Sequence, residues 1–193
     1  MRWQPNARGR LEQAAFALYQ ERGFEQTTVA EIAERAGLTE RTFFRHFADK
    51  REVLFSGSDD LKALFADAVA GAPPSASPID AVAAGLEAVA GAFEGRHEFA
   101  GRRRRIIAAH AELQERELIK LASLEACVAD GLRRRGVRAP AASLAAKLGL
   151  AVFHVAFERW TDQPDESGLS PFIREAMVEM KAVAGGQGSS PAR

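Results

Sequence analysis

The residues of this chain best placed to do chemistry lie within positions 39–47. Glu40, Arg41, Thr42, Phe44 and Arg45 share one side of a short helical segment, while Leu38, Phe43 and Phe47 supply the apolar side that holds it on its neighbours. A short helix with a polar, arginine-bearing outer face can enter the major groove of DNA when a second helix braces it. The bracing segment lies just upstream, where Val29, Ile32, Ala33 and Ala36 fall on one helical face. Thr28 and Glu31 form a capping box at its start. Gly37 follows its last apolar residue, where a left-handed residue ends a helix without a Cβ penalty. Thr39 then caps the second helix, and Asp49 with Glu52 caps a third that starts at Lys50. These residues alone predict a helix-turn-helix. An ordinary helical hairpin in an all-α domain is the alternative they leave open.

The continuous run from about residue 8 to 55 resembles the DNA-binding domain of the tetracycline-repressor (TetR) family of bacterial regulators. The resemblance is carried by Gly23-Phe24, Thr27-Thr28-Val29, Ile32-Ala33, Ala36-Gly37-Leu38-Thr39, Thr42-Phe43-Phe44, His46-Phe47 and Lys50. It implies an all-α protein with an N-terminal three-helix DNA-binding domain and a helical C-terminal domain that dimerises and commonly holds a small-molecule inducer. It also implies base-edge contacts from Glu40, Arg41, Thr42 and Phe44, and phosphate contacts from Thr28, Arg45, His46 and Lys50, with Thr39 opening the reading helix. The chain departs from the family in three places. Phe44 stands where a tyrosine hydroxyl usually reaches DNA, Arg41 stands where many members have a small residue, and Glu40 is acidic. Glu40 can accept from a cytosine amino group or pair with Arg41. Further on, Arg102-Arg103-Arg104-Arg105-Ile106-Ile107, 112–116, 135–137 and 157–160 resemble a C-terminal domain type of actinobacterial members similar to the mycofactocin regulator.

Composition agrees with a regulator and argues against a nonspecific nucleic-acid coat. The 26 basic and 26 acidic residues balance to a formal net charge of +0, whereas a coat needs a strongly basic surface. Residues 1–10 carry Arg2, Arg8 and Arg10 and no acid, so a basic arm is expected before the first helix; an arm reaching DNA and a frayed terminus are both open. The single cysteine, Cys127, excludes an internal disulfide and a cysteine metal cluster. The histidines, His46, His97, His110 and His154, have no metal-site spacing. The sequence has no phosphate-binding glycine loop and no Gly-x-Ser-x-Gly turn. No catalytic residue, metal or cofactor is therefore expected. No apolar run approaches the roughly 20 residues of a membrane helix, and the N-terminus lacks a signal peptide's apolar core. A cytoplasmic, nucleoid-associated protein is expected, without a membrane partner.

The periodicity predicts about nine helices in three segments: a DNA-binding domain over 1–50, a dimerisation and ligand domain over 51–184, and a disordered Gly/Ser/Pro-rich tail over 185–193. One long helix is expected over 49–70, and others over about 78–93, 96–111, 112–135, 140–161 and 169–184. The helix over 140–161 carries a stripe of small residues including Ala145, Gly149, Val152 and Ala156. The final helix carries Phe172, Ile173, Ala176, Met177 and Met180 at 3-4 spacing. A helix apolar on more than one side is buried on more than one side, so these two stripes are expected to build a four-helix dimer interface, or to be buried within one chain. Phe93, Phe99, His110, Phe153, His154, Phe157 and Trp160 are candidates for an apolar effector pocket with a few polar points; plain core is the other use for them. The expected function is a homodimeric repressor released from a palindromic double-stranded operator by a small-molecule effector. An architectural or cell-division factor on the same fold, without an inducer, is the alternative. An enzyme or ligand carrier with a vestigial head is a third reading.

Overall fold

The computed structural model describes residues 7–163 and 167–186. Among them are ten α-helices and no strand: α1 (Ala7–Arg22), α2 (Val29–Arg35), α3 (Glu40–His46), α4 (Lys50–Leu54), α5 (Ser58–Gly71), α6 (Pro78–Ala92), α7 (His97–Ala108), α8 (Ala111–Arg134), α9 (Ala139–Asp162) and α10 (Leu169–Ala184). The tenth helix comes from a break in the expected 49–70 helix. Gly57 adopts φ +82°, a left-handed conformation that stops α4 and lets Ser58 start α5 with Asp59 and Asp60 in its first turn. The helix expected over about 96–111 forms with nearly the expected start and a shorter end. α7 starts at His97, with Glu98 in its favourable first turn. Arg2, residues 164–166 of the predicted 163–168 loop and residues 187–193 of the predicted tail lie outside the described residues.

The chain divides into two compact units, each with its own core. The first comprises residues 7–57 together with 105–114, so it is larger than the 1–50 segment marked out by sequence. Its core joins Leu11, Phe16, Tyr19, Phe24, Ile32, Phe43 and Phe47 to Ile107 and Leu113 from the α7–α8 corner. No local pattern announces this, because it is a pairing between residues some 80 positions apart. α1 packs on α2, α3 and α4. Arg8 does not serve as a free arm: it bonds Ser56 Oγ at 2.8 Å and Glu12 at 3.2 Å. Arg10 donates to the carbonyls of Ala36 and Gly37, capping the C-terminal end of α2.

The second unit covers 58–104 and the described residues from 115 onward. α6 is its central helix, packed against α5, α9 and α10. Gly85 makes room for the Phe65 ring and Gly149 for Val82, since a Cβ at either position would fall well inside van der Waals contact. Arg135 closes the unit at one end, donating to Ala72 O at 2.6 Å and Pro73 O at 2.7 Å just past the end of α5. Of the 102–105 run, three side chains form ion pairs. Arg102 meets Glu98, Arg103 meets Glu117 at 2.6 Å, and Arg104 meets Asp162 at 2.6 Å and Glu158 at 3.2 Å. α9 corrects one expectation: its 24 residues contain a window of mean hydropathy 1.5, long and apolar enough to cross a membrane by length and composition. In this fold the helix instead supplies Ala142, Ala146, Val152, Ala156 and Trp160 to the core.

Candidate nucleic-acid interface

The interface is built from caps outward. Thr28 Oγ1 accepts from Glu31 N at 3.3 Å, and the Glu31 carboxylate accepts from Thr28 N at 2.8 Å, completing the capping box of α2. The Thr28 N–H holds the Glu31 carboxyl below its usual range, and the Thr28 hydroxyl and Arg22 add to this. Gly37, at φ +63°, turns the chain out of α2. Thr39 Oγ1 then accepts from Thr42 N at 3.2 Å and caps α3. Phe43, fully buried, pins α3 to the core. With Phe43 and Phe47 turned in, Glu40, Arg41, Phe44 and Arg45 are exposed together on the outer side of α3.

Ion pairing separates the arginines of residues 7–57 into two groups. Arg22 meets Glu31 at 2.7 Å, Arg35 grips Glu21 through two bonds of 2.5 and 2.6 Å, and Arg51 grips Asp49 at 2.6 Å. Arg8 and Arg10 are tied as described above. Among the described residues, Arg41 and Arg45 make no ion pair or hydrogen bond, and both stand on α3. Two guanidiniums without partners, side by side on an exposed helix face, are available for an anionic, hydrogen-bonding surface. Glu40 is exposed beside Arg41 without an ion pair to it.

Of the residues expected to contact phosphate, Lys50 and His46 each turn a nitrogen inward in this structure. Lys50 directs its ammonium inward, to the carbonyls of Phe24 at 2.9 Å, Glu25 at 3.1 Å and Thr27 at 3.1 Å, over the Phe24 ring at 4.5 Å. An ammonium has three protons, and all three are engaged. Lys50 is thus a clamp on the loop that delivers α2. The Nε2 of His46, a half-buried residue, is sealed from solvent with no hydrogen-bond partner among the described residues. Thr28 is exposed, but its hydroxyl and N–H are engaged with Glu31. Thr42 is half-buried, 3.1 Å from the Thr39 hydroxyl.

Sequence reasoning did not single out the group around Lys50. Tyr19 donates its phenolic proton to Lys50 O at 2.6 Å and stacks edge-on against Phe24. Burial, reinforced by Asp49, raises the Tyr19 pKa well above its ordinary value. His110, from the α7–α8 corner, packs on the Phe24 ring at 5.1 Å, with Nε2 3.8 Å from Glu25. His110 therefore belongs to the DNA-binding unit rather than to an effector pocket. A glycine followed by an aromatic at 23–24 was the available signal, but it did not reveal the partners.

Of the other expected pocket residues, Phe93, Phe153, Phe157 and Trp160 form one aromatic cluster in the second unit, with ring centroids 5.4–6.4 Å apart. His97 joins them, its ring 5.0 Å from Trp160 and Nε2 2.9 Å from Trp160 O. Trp160 is fully buried and donates Nε1–H to Ser167 O at 2.5 Å. Phe99 and His154 are exposed.

The stripe expected to meet a second copy is buried within the chain itself. Ala145, Gly149, Val152 and Ala156 face the chain's own core, as do Ile173, Ala176 and Met177, while Phe172 and Met180 are half-buried. The opposite side of α9 carries Leu144, Leu148, Ala151 and Val155 at 4-3-4 spacing, with Leu144 59% and Val155 40% exposed. Beside it, Val178 of α10 is 68% exposed, and Arg159 of α9 pairs with Glu179 of α10 at 2.9 Å.

Comparison with known proteins places both parts of the chain. Residues 12–56 match the family described as bacterial regulatory proteins, tetR family, and residues 76–185 match the MftR C-terminal domain. The chain is 37% identical over 84 residues to the HTH-type transcriptional regulator TcmR of Streptomyces glaucescens, a stretch covering 44% of this chain and 37% of TcmR. The matched stretch thus spans little more than a third of that relative. The fold resembles the fatty acid degradation regulator FadR of Bacillus halodurans, with a TM-score of 0.59 and 16% identity over 93% of this chain and 96% of that one. It also resembles Thermus thermophilus FadR, a TetR-family repressor solved with lauroyl-CoA, with a TM-score of 0.51 and 20% identity over 96% and 97% of the two chains.

Proposed function

The chain belongs to the TetR family of bacterial regulatory proteins, and on that premise we propose that it is a homodimeric repressor released from a palindromic operator by a small molecule. Members of this family are soluble, cytoplasmic, non-enzymatic transcriptional regulators that bind DNA, dimerise and carry ligand-binding C-terminal domains. The observation that carries the reading is the segregation of arginines. Every arginine of residues 7–57 is tied to a protein partner except Arg41 and Arg45, on the exposed face of α3. Arg41, in the first turn of α3, is suited to bonding O6 and N7 of a guanine; Arg45, one turn on, is suited to a phosphate. The outer faces of α9 and α10, not the buried stripe, are the dimer surface of this proposal.

The proposed effector is apolar or amphiphilic, and the cluster of Phe93, Phe153, Phe157 and His97 is its proposed seat. Lauroyl-CoA bound to the Thermus thermophilus relative is a ligand of that kind. Residues 105–114 give the signal a route, because they belong to the DNA-binding unit while the rest of α7 and α8 belongs to the other. Regulation requires the effector to bind the released state more tightly than the bound one. The test is a titration of acyl chains and other amphiphiles against operator binding and melting temperature. An effector should release DNA in the concentration range where it stabilises the protein, by about 2.7 kcal/mol at a hundred times its Kd. Operator binding that no amphiphile weakens would favour a DNA-binding factor without an inducer.

A further inference from the structure

We infer that Phe44 reads the C5-methyl group of a thymine, so that each half-site carries a thymine next to the base pair met by Arg41. The inference rests on the DNA-binding reading above and specifies what that surface recognises. Residues 7–57 contain six phenylalanines; Phe16, Phe24, Phe43, Phe47 and Phe55 are buried, and Phe44 is 54% exposed. It is not loose. Its ring meets the buried Phe43 ring edge to face, with centroids 5.5 Å apart and an interplanar angle of 83°, so one side is held and the other presented. Arg41 lies three residues before it and Arg45 one residue after, both exposed and without protein partners. An apolar ring set between two uncompensated guanidiniums suits a polyanion that also displays an apolar group.

In the major groove that group is the thymine methyl; the other base-edge features there are hydrogen-bond donors and acceptors. A phenyl ring has no hydrogen-bonding group, so it cannot read those features. It can bury a methyl. Two consequences follow. The discrimination at this position resides in one carbon atom, and 5-methylcytosine, which carries the same methyl, is favoured there over cytosine.

The test uses the full chain and a duplex enriched from a random-sequence library. Each thymine of the half-site is replaced in turn, in both halves, by deoxyuridine, which lacks only the methyl. Wild type should show one position where the replacement weakens binding about fourfold per half-site, as expected for one buried methyl-sized group. At that position 5-methylcytosine opposite guanine should bind more tightly than cytosine opposite guanine. Phe44→Ala should bind the thymine duplex less tightly and be indifferent to deoxyuridine. An enriched duplex whose thymines all tolerate deoxyuridine would overturn the inference while leaving the DNA-binding reading intact. So would a deoxyuridine penalty that persists in Phe44→Ala. If the library yields no enriched sequence, the reading and the inference fall together.

Discussion

Replacing Lys50 by alanine separates a clamp from a phosphate contact. The change removes three hydrogen bonds from a charged donor, to the carbonyls of Phe24, Glu25 and Thr27, and the ammonium over the Phe24 ring. Bonds to a charged group contribute about 1.5–3 kcal/mol each, and an exposed cation–π contact about 0.5–1 kcal/mol. One ammonium makes all of these contacts, and it is only half-buried, so the terms do not add. A loss of about 2–3 kcal/mol is the expected scale. For a unit of this size that lowers the melting temperature by roughly 10–20 °C. Tyr19, the only tyrosine, bonds Lys50 O, so its near-ultraviolet signal reports on this unit directly. Lys50→Met keeps the aliphatic stem on Phe24 without the donors and should lose nearly as much. Operator affinity should fall in both variants as the unit opens, while its salt dependence keeps the wild-type slope. A phosphate contact behaves oppositely: stability is unchanged and the slope falls by about one unit. Wild-type melting with a flattened slope would refute the clamp.

Three further outcomes follow from the same geometry. Gly149→Ala should destabilise the fold by about 1–3 kcal/mol in urea titration without dissociating the dimer, because the new Cβ runs into Val82; a more stable variant would mean that Val82 yields freely. Leu144→Glu with Val155→Arg should leave a folded monomer in sedimentation, since both side chains are exposed in the single chain; a dimer that survives would place the interface elsewhere. The Glu31 carboxyl is held below its ordinary value by the Thr28 N–H, so its contribution is present above about pH 4.3 and is lost as pH falls through the depressed value. Glu31→Gln should therefore melt earlier than wild type at pH 7 and converge with it once the pH falls below the depressed Glu31 value. A gap that stays constant across that range would assign the effect to something other than the ionised cap.

The helix-turn-helix was legible because its signals are local. Thr28, Thr39 and Asp49 each cap the helix they were expected to cap, and Gly37 takes the left-handed turn. Helix types and approximate bounds in the C-terminal unit were legible for the same reason: 3-4 periodicity and the prolines at 78 and 140 are short-range features. Which face meets which partner was not legible. The small stripe of α9 looked suited to close approach, and it is, but the approaching helix is the chain's own α6 rather than a second copy. Lys50 looked like a surface cation because nothing near it in sequence accepts its protons; the three carbonyls lie more than 20 residues upstream. Composition groups His110 with the C-terminal aromatics, although residues 105–114 fold with the first unit. Pairings of this range leave no periodic trace.

The most direct test of the central claim is enrichment of binding sites from a random duplex library by wild type and by Arg41→Ala. Wild type should select a palindrome, with its half-site centres separated by one helical turn of DNA or a multiple of it. Arg41→Ala should select the same palindrome with the preference for guanine lost at one position in each half, a change of about 1–3 kcal/mol in discrimination. No enriched sequence for wild type, or an identical site preference for both proteins, would contradict the assignment of α3 and its free arginine to reading the operator.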